Sequence, residues 1–384
     1  MKHEKRLLSA AVAAAFAAGL GFHWVQAAAA DLTLKEQLGE KIFFDKSLSL
    51  LRNQACATCH VPEAGWVGDD SKINEAGGVY QGSVPGKFGN RNPPSSAYAT
   101  PSPVFGFDEA EGLFVGGNFW DGRATGWELD DPSAEQARGP FLNPVEQALP
   151  DKACVVYRVC EGQYGTLFDA VWDGDACMID WPGNGVVNQQ CVKPDGEVPL
   201  ANEEREKVES AYDMIALSIS AFEDSPASNA YSSKIDAVRA LNAEEPGTGD
   251  ALFTEQELLG RELFRGKGMC SACHVGSPPG NPDPPLFTDF TFDNLGVPRN
   301  PQNPASIADP DWRDPGLGGF LATVPEYIAT LPDAGETDYL GDNLGKHKVP
   351  TLRNVGLGSC EAQEFAEAPP KNCITKAYMH NGYF

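Results

Sequence analysis

The stretch Cys56-Ala57-Thr58-Cys59-His60 decides the fold, because the chain repeats its pattern at Cys270-Ser271-Ala272-Cys273-His274. In both copies two residues separate the thiols, and a histidine follows directly. Two thiols at this spacing can form thioether bonds to the vinyl groups of one haem, while the histidine supplies an axial nitrogen to the iron. A redox or zinc-binding Cys-x-x-Cys beside a chance histidine is the alternative for one copy. Two complete copies predict two covalently bound c-type haems.

Residues 1–30 have the pattern of a secretory signal peptide. Three basic residues precede an apolar run at residues 7–20, and the small residues 27–30 offer cleavage sites. The run is short for a transmembrane helix, although an uncleaved anchor is left open. The sequence therefore predicts a periplasmic protein, since c-type haem is attached and disulfides persist in that compartment.

The cysteine count agrees with an oxidising compartment. Four of the ten cysteines belong to the haem motifs, and the remaining six predict three disulfides. Their spacing favours particular pairs, although other connectivities are left open. The favoured pairs are Cys154–Cys160, Cys177–Cys191 and Cys360–Cys373.

The charge of the chain limits its partners. The formal net charge is −25 at pH 7, so nucleic acid is not expected to bind. A basic redox protein would be steered towards such a surface, although many acidic proteins have no such partner.

The sequence pattern predicts a mostly α protein with long ordered loops. Apolar residues recur at near-helical spacing before each motif, at residues 38–44 and 259–264, and residues 202–222 are the longest helix candidate. The 40 glycines and 30 prolines indicate that much of the chain is loop.

A polar segment rich in helix breakers, residues 242–250, is the expected linker between domains. The expected organisation is a signal peptide (residues 1–30) and two cytochrome c-like haem domains. The N-terminal haem domain would span residues 31–245, and the C-terminal haem domain residues 251–384.

Several further stretches resemble the bacterial di-haem cytochrome c peroxidase family, which includes the MauG-type enzymes. They follow the family's order over most of the chain beyond residue 30, whereas residues 151–200, with their four cysteines, depart from its pattern. The matching stretches are LGEKIFFD (38–45), RNPPS (91–95), FWDGRA (119–124), EQARGP (135–140), NPVE (143–146), KVPTLRNV (348–355) and YMHNG (378–382).

The resemblance implies a division of labour between the two haems. The haem held by His60 would be the peroxide site, and the haem held by His274 would relay electrons to it. Trp120 matches the residue that lies between the haems as an electron-transfer bridge. Packing in a core is the alternative role for this tryptophan, and the two roles can coexist.

The same resemblance implies a distal pocket for peroxide. Gln136 and Glu146 match the residues that line it, and Pro140 matches a residue that shapes it. Peroxide cleavage needs a group that moves a proton between the two oxygens, and Glu146 is the candidate. Burial beside a haem would raise its pKa towards the working range. An ordinary surface glutamate is the alternative.

A calcium ion between the haem domains is a further implication of the resemblance. Asn92 matches the side-chain ligand, and Thr375 and Ala377 match two carbonyl ligands, with alanine where the family usually has proline. Oxygen ligands of this kind suit calcium. The alternative for Asn92 is a turn residue that bonds its own backbone.

The chain departs from classical family members at two places. They carry a histidine that blocks the peroxide iron until the other haem is reduced, but this chain has no histidine between residues 61 and 273. The resemblance is thus to the MauG-type members, with an open peroxide iron. The chain also ends at Phe384, before the position of the relay haem's sixth ligand. Either the sequence is truncated or Met269, Met379 or His347 supplies that ligand.

The sequence predicts a periplasmic di-haem peroxidase that reduces hydrogen peroxide. Its electrons would come from a small periplasmic cytochrome c or copper protein. The first alternative is a MauG-like enzyme that oxidises residues of a protein substrate. The second is a non-enzymatic electron-transfer cytochrome, which the distal-pocket residues disfavour because a carrier needs both irons capped. A homodimer is left open.

Overall fold

The structure, a computed structural model, describes residues 31–276, 284–360 and 373–384, so the predicted signal peptide lies outside the described residues. The described chain is mostly helical, as predicted. Its α-helices are α1 (Leu34–Phe43), α2 (Ser71–Glu75), α3 (Pro132–Leu142), α4 (Lys152–Cys160), α5 (Gly165–Val171), α6 (Asn184–Gln190), α7 (Asn202–Asp224), α8 (Lys234–Glu244), α9 (Glu255–Arg265), α10 (Pro304–Ala308), α11 (Gly316–Leu321) and α12 (Pro325–Ile328). None of them is long and apolar enough to cross a membrane.

Strands are few and short in the described chain. The strands are β1 (Gly106–Asp108), β2 (Leu113–Val115), β3 (Phe292–Asp293) and β4 (His347–Lys348). β1 pairs antiparallel with β2, and β3 pairs antiparallel with β4. In the second ladder Phe292 faces Lys348 and Asp293 faces His347. This ladder therefore joins β3, which follows the second haem motif, to β4, which leads into Val349.

The longest helix, α7, is the centre of the main core. Its apolar residues recur every three or four positions, so one face is buried against α1, α3 and α4. α1 lies close against α7 at Gly39, where a β-carbon would lie 1.9 Å from the carbonyl oxygen of Ser218. Only glycine allows the two helices to approach this closely.

The helices that precede the two haem motifs begin in the same way. At α1 the hydroxyl of Thr33 accepts from the backbone of Glu36, whose side chain accepts from the backbone of Thr33. Thr254 and Glu257 make the same reciprocal pair at α9. This capping box satisfies amides that a helix start leaves unpaired. Each capping box fixes the residue at which its helix begins, and the haem motif follows that helix along the chain.

Two disulfides cross-link residues 151–200 internally, and both predicted pairs there are wrong. The structure joins Cys154 to Cys191 and Cys160 to Cys177. Cys154 and Cys160 both lie on α4, where six residues of helix separate their Cα atoms by about 9 Å along the axis. A disulfide needs Cα atoms within about 7 Å, so each cysteine pairs with a segment that packs against the helix.

The third predicted disulfide, Cys360–Cys373, is confirmed, with Cα atoms 4.8 Å apart. The predicted linker at residues 242–250 is partly ordered, because α8 continues to Glu244 and a 3₁₀ turn follows at Gly249–Leu252. From Leu32 onwards the chain forms one compact unit. The division into residues 31–245 and 251–384 therefore stays a prediction.

Candidate active site

The main core orients the imidazole of His60. Nδ1 of His60 lies 3.2 Å from the backbone oxygen of Trp66. Trp66 is held in the left-handed region at φ 64°, and its indole packs edge-on against Phe43 of α1 and Phe222 of α7. An imidazole that donates through Nδ1 leaves Nε2 free for a metal. Two core helices thus position the histidine that is predicted to bind iron.

The second motif repeats this arrangement. Nδ1 of His274 lies 2.9 Å from the backbone oxygen of Phe287, and Phe287 also has a positive φ of 58°. The thiol of Cys273 lies 3.1 Å from an oxygen of Asp293, on β3. Both histidines therefore have the orientation that a c-type haem requires.

One cavity of about 1120 Å³ connects the two motifs, and both histidines line it. This volume exceeds the roughly 300–1000 Å³ of most small-ligand sites. The four motif cysteines are free thiols, unlike the six in disulfides. The cavity, the free thiols and the imidazole orientations fit two covalently bound haems.

The predicted distal residues come together beside His60. Gln136 and Glu146 line the large cavity, and Pro140 joins them at a small adjoining void that also touches Cys59. The role of each in catalysis stays a prediction, but their placement on the first haem's side is what that role requires.

The environment of Glu146 suits a proton-transfer group. Burial raises its pKa, while a hydrogen bond of 2.6 Å from Asn143 and the charge of Arg123 act in the opposite direction. Burial has the larger effect, so the carboxyl can keep its proton at a pH nearer neutrality than an exposed glutamate can.

A line of alternating charges, which the sequence reasoning missed, leads away from this pocket. Arg123 lies over the ring of Phe119 and pairs with Asp121 at 2.8 Å. Arg91 joins Asp121 at 2.6 Å and then Asp314, also at 2.6 Å. The sequence did contain one signal for this line of charges. Arg123 lies within the family stretch FWDGRA, three positions after the predicted bridge residue Trp120. Arg123 supplies the cationic side of the distal pocket.

A second buried carboxyl was also missed. Glu223 is only 3% exposed and lines both the large cavity and the small void. Burial raises its pKa well above the usual range, and the charge of Asp131 acts in the same direction. The only signal in the sequence was an acidic residue at the end of the apolar face of α7.

Trp120 lies at the wall of the cavity that both histidines share. Its indole nitrogen donates to the backbone oxygen of Asn92 at 2.8 Å, and its own backbone oxygen accepts from the backbone of Lys348 at 2.8 Å. The tryptophan is therefore fixed by segments from both halves of the chain, as a bridge would be, and its function as a bridge stays a prediction.

The predicted calcium ligands are close together but already have partners. The amide nitrogen of Asn92 donates to the backbone oxygen of Ala377 at 2.9 Å, and that of Asn74 donates to the backbone oxygen of Thr375 at 2.8 Å. Turning the Asn92 amide would direct its oxygen to the same place, because the two ends of an amide have the same shape. Calcium at this site stays a prediction.

The three candidate sixth ligands differ in their surroundings, and Met379 is 36% exposed. His347 Nδ1 lies 3.0 Å from the Gly345 oxygen and Nε2 lies 3.4 Å from Asp314, while its ring stacks on His380 with centroids 3.6 Å apart. Met269 is 71% exposed. The identity of the sixth ligand stays open among these residues.

The fold and the cavity define this chain as a c-type cytochrome with two haem sites. It belongs to the di-haem cytochrome c peroxidase family, whose model matches residues 33–245. The family carries two haems, and its members are oxidoreductases. The resemblance and the mostly α fold inferred from the sequence are both confirmed.

Individual relatives support the assignment. The chain is 32% identical to "Methylamine utilization protein MauG" of Paracoccus denitrificans, over 90% of this chain and 70% of the relative. It is 25% identical to "Cytochrome-c peroxidase IdrP1" of Denitromonas iodatirespirans, over 91% and 69%. Among solved structures it is similar to the diheme peroxidase BthA of Burkholderia thailandensis, with a TM-score of 0.64 and 28% identity, over 91% and 68%.

Proposed function

We propose that this chain is a periplasmic di-haem peroxidase that reduces hydrogen peroxide at the haem held by His60. The observation that carries the proposal is the convergence of Gln136 and Glu146 on the cavity beside that histidine. A haem in this pocket supplies the iron at which peroxide binds and is reduced. The protein must then position the peroxide and move its proton.

The distal residues divide these tasks by their chemistry. Glu146 would accept a proton from one peroxide oxygen and return it to the other, which would then leave as water. The amide of Gln136 orients the peroxide by hydrogen bonding. Arg123, held by Asp121 at 2.8 Å, stabilises negative charge that develops on the oxygens.

Electrons would reach this pocket from the haem held by His274. Trp120 borders the cavity shared by the two pockets and is fixed by Asn92 and Lys348. An aromatic ring in this position shortens each electron-transfer step. The donor proposed for a peroxidase is a small cytochrome c or copper protein.

The oxidised, haem-loaded protein is expected to show one high-spin ferric haem at neutral pH. No histidine lies between residues 61 and 273, so none from that range can cap the His60 iron. Peroxide should then react without prior reduction of the other haem. Electron paramagnetic resonance tests the first expectation and stopped-flow mixing the second. Two low-spin signals, with no reaction until an electron is added, would contradict both.

A MauG-like activity is the second candidate, in which the electrons come from residues of a protein substrate. The absent distal histidine and the 32% identity to the Paracoccus MauG protein favour it. Steady peroxide turnover with a reduced small cytochrome or copper protein supports the peroxidase. The MauG-like enzyme is supported if the peroxide-oxidised state of the haems persists in the presence of such donors and decays when a protein substrate is added. The electron-carrier alternative is not retained, because the family consists of enzymes.

The proposal includes calcium between Asn92, Thr375 and Ala377. Its support is the family resemblance and the contact of 2.9 Å between the Asn92 side-chain amide and the Ala377 carbonyl oxygen. Metal analysis of the purified protein, before and after exhaustive chelation, is expected to show one calcium per chain that chelation removes. Parental metal content in Asn92→Ala would contradict this assignment, because that variant lacks the side-chain ligand.

A further inference from the structure

Lys348 is a partly buried cation with an unusual set of partners. Its ammonium donates to Ser102 Oγ at 2.7 Å, to Asn118 Oδ1 at 2.9 Å and to the backbone oxygen of Gly117. A protonated lysine has three N–H groups and no acceptor, so all three donors are used. The acceptors are neutral, and within the described chain no carboxylate pairs with this ammonium. The three acceptors therefore stabilise the protonated ammonium by hydrogen bonds, but no negative charge neutralises it.

One side of Lys348 borders the segments that support the second haem motif. Its Nζ lies 5.4 Å from the ring centre of Phe290, three positions after the Phe287 oxygen that orients His274. Its strand, β4, pairs with β3, which carries the Asp293 that contacts Cys273. The side chain also lines the shared cavity.

The hydrogen bonds of Lys348 hold its charge in place. Asn118, which accepts from the ammonium, donates through its own amide nitrogen to Ser133 Oγ at 2.8 Å, so the acceptor is itself fixed by α3. Burial lowers the pKa of Lys348 to about 7, the direction expected of an ammonium without a carboxylate partner. The three hydrogen bonds therefore hold the positive charge in one place, at the wall of the shared cavity.

We propose that Lys348 is a positioning residue whose uncancelled positive charge raises the reduction potential of the haem held by His274. A fixed cation stabilises the reduced state, which carries one positive charge fewer, and partial removal from water strengthens the effect. A higher potential favours entry of electrons from an external donor into this haem. The inference rests on the proposed relay function of the second haem.

The test is a spectroelectrochemical titration of the di-haem protein at about pH 6, where the ammonium is protonated. Lys348→Met removes the charge and keeps most of the side-chain volume. Its expected effect on the His274 haem is a lower midpoint potential, by about tenfold in the reduced-to-oxidised ratio at fixed applied potential. For a one-electron step this corresponds to about 59 mV. Lys348→Arg keeps the charge and is expected to keep the midpoint near the parental value.

Lys346→Met is the matched control, because it removes a neighbouring positive charge whose side chain makes no hydrogen bond in the described structure. Its expected midpoint is parental. If Lys348→Met fails to load haem, Lys348→Gln replaces it, since glutamine is neutral but can still hydrogen-bond. A parental midpoint in a folded, di-haem Met or Gln variant overturns the proposal, as does an equal shift in Lys346→Met. The titration needs no peroxide, so its outcome is independent of whether the protein is a peroxidase.

Discussion

Glu146→Gln is expected to slow the reaction with peroxide by about 10²-fold or more, the usual scale for a positioned acid–base group. Glutamine keeps the size of the side chain and its ability to accept from Asn143, but it cannot take a proton from peroxide. Haem content and fold should be unchanged, because the hydrogen bond to Asn143 connects residues only three positions apart. Stopped-flow absorbance after mixing with peroxide measures the rate.

The pH dependence of this reaction provides a second readout. Because burial raises the pKa of Glu146, the parental rate should rise with pH as the carboxyl ionises, at a higher pH than for an ordinary glutamate. In the Glu146→Gln protein this rise of the rate with pH should be absent. Glu63→Gln, in the turn after the first motif, is the matched control and should react at the parental rate. A Glu146→Gln protein with parental rate and pH profile would reduce this glutamate to a structural residue.

The parts of the site that the sequence predicted are those carried by local spacing. The haem motifs work within five consecutive residues, so their chemistry is visible without the fold. α7 was predicted at residues 202–222 and observed at Asn202–Asp224, because its apolar periodicity is continuous. The distal residues became visible only through the family resemblance, since a lone glutamate or glutamine carries no pattern of its own.

The parts that the sequence did not predict depend on contacts between distant segments. Lys348 meets its acceptors across more than two hundred positions of the chain, and Glu223 is buried by the packing of α7. The disulfide pairs predicted for the two cysteines of α4 were wrong for the same reason. Proximity in sequence favoured Cys154–Cys160, but helix geometry separates these two cysteines and tertiary packing selects their partners. Burial and long-range pairing are properties of the fold, which no short pattern records.

Replacing both Cys270 and Cys273 by alanine is expected to leave one covalent haem per chain, against two in the parent protein. A pyridine haemochrome assay with protein quantification measures the ratio. The remaining haem should be the one on His60, because the support of that histidine comes from α1, α7 and Trp66, which do not involve the second motif. One haem in the parent protein would contradict the two-site assignment.

The same variant separates the roles of the two haems. Its His60 pocket keeps Gln136 and Glu146, so a single reaction with peroxide should persist, whereas steady turnover with an external donor should fall to background because the relay haem is absent. The reciprocal variant, Cys56→Ala with Cys59→Ala, should lose the peroxide reaction itself. It should also be the less stable of the two, because Cys56 packs against the main core whereas Cys270 is exposed. Undiminished donor turnover in the Cys270 and Cys273 variant would show that electrons enter at the His60 haem directly, and the relay assignment would then be wrong.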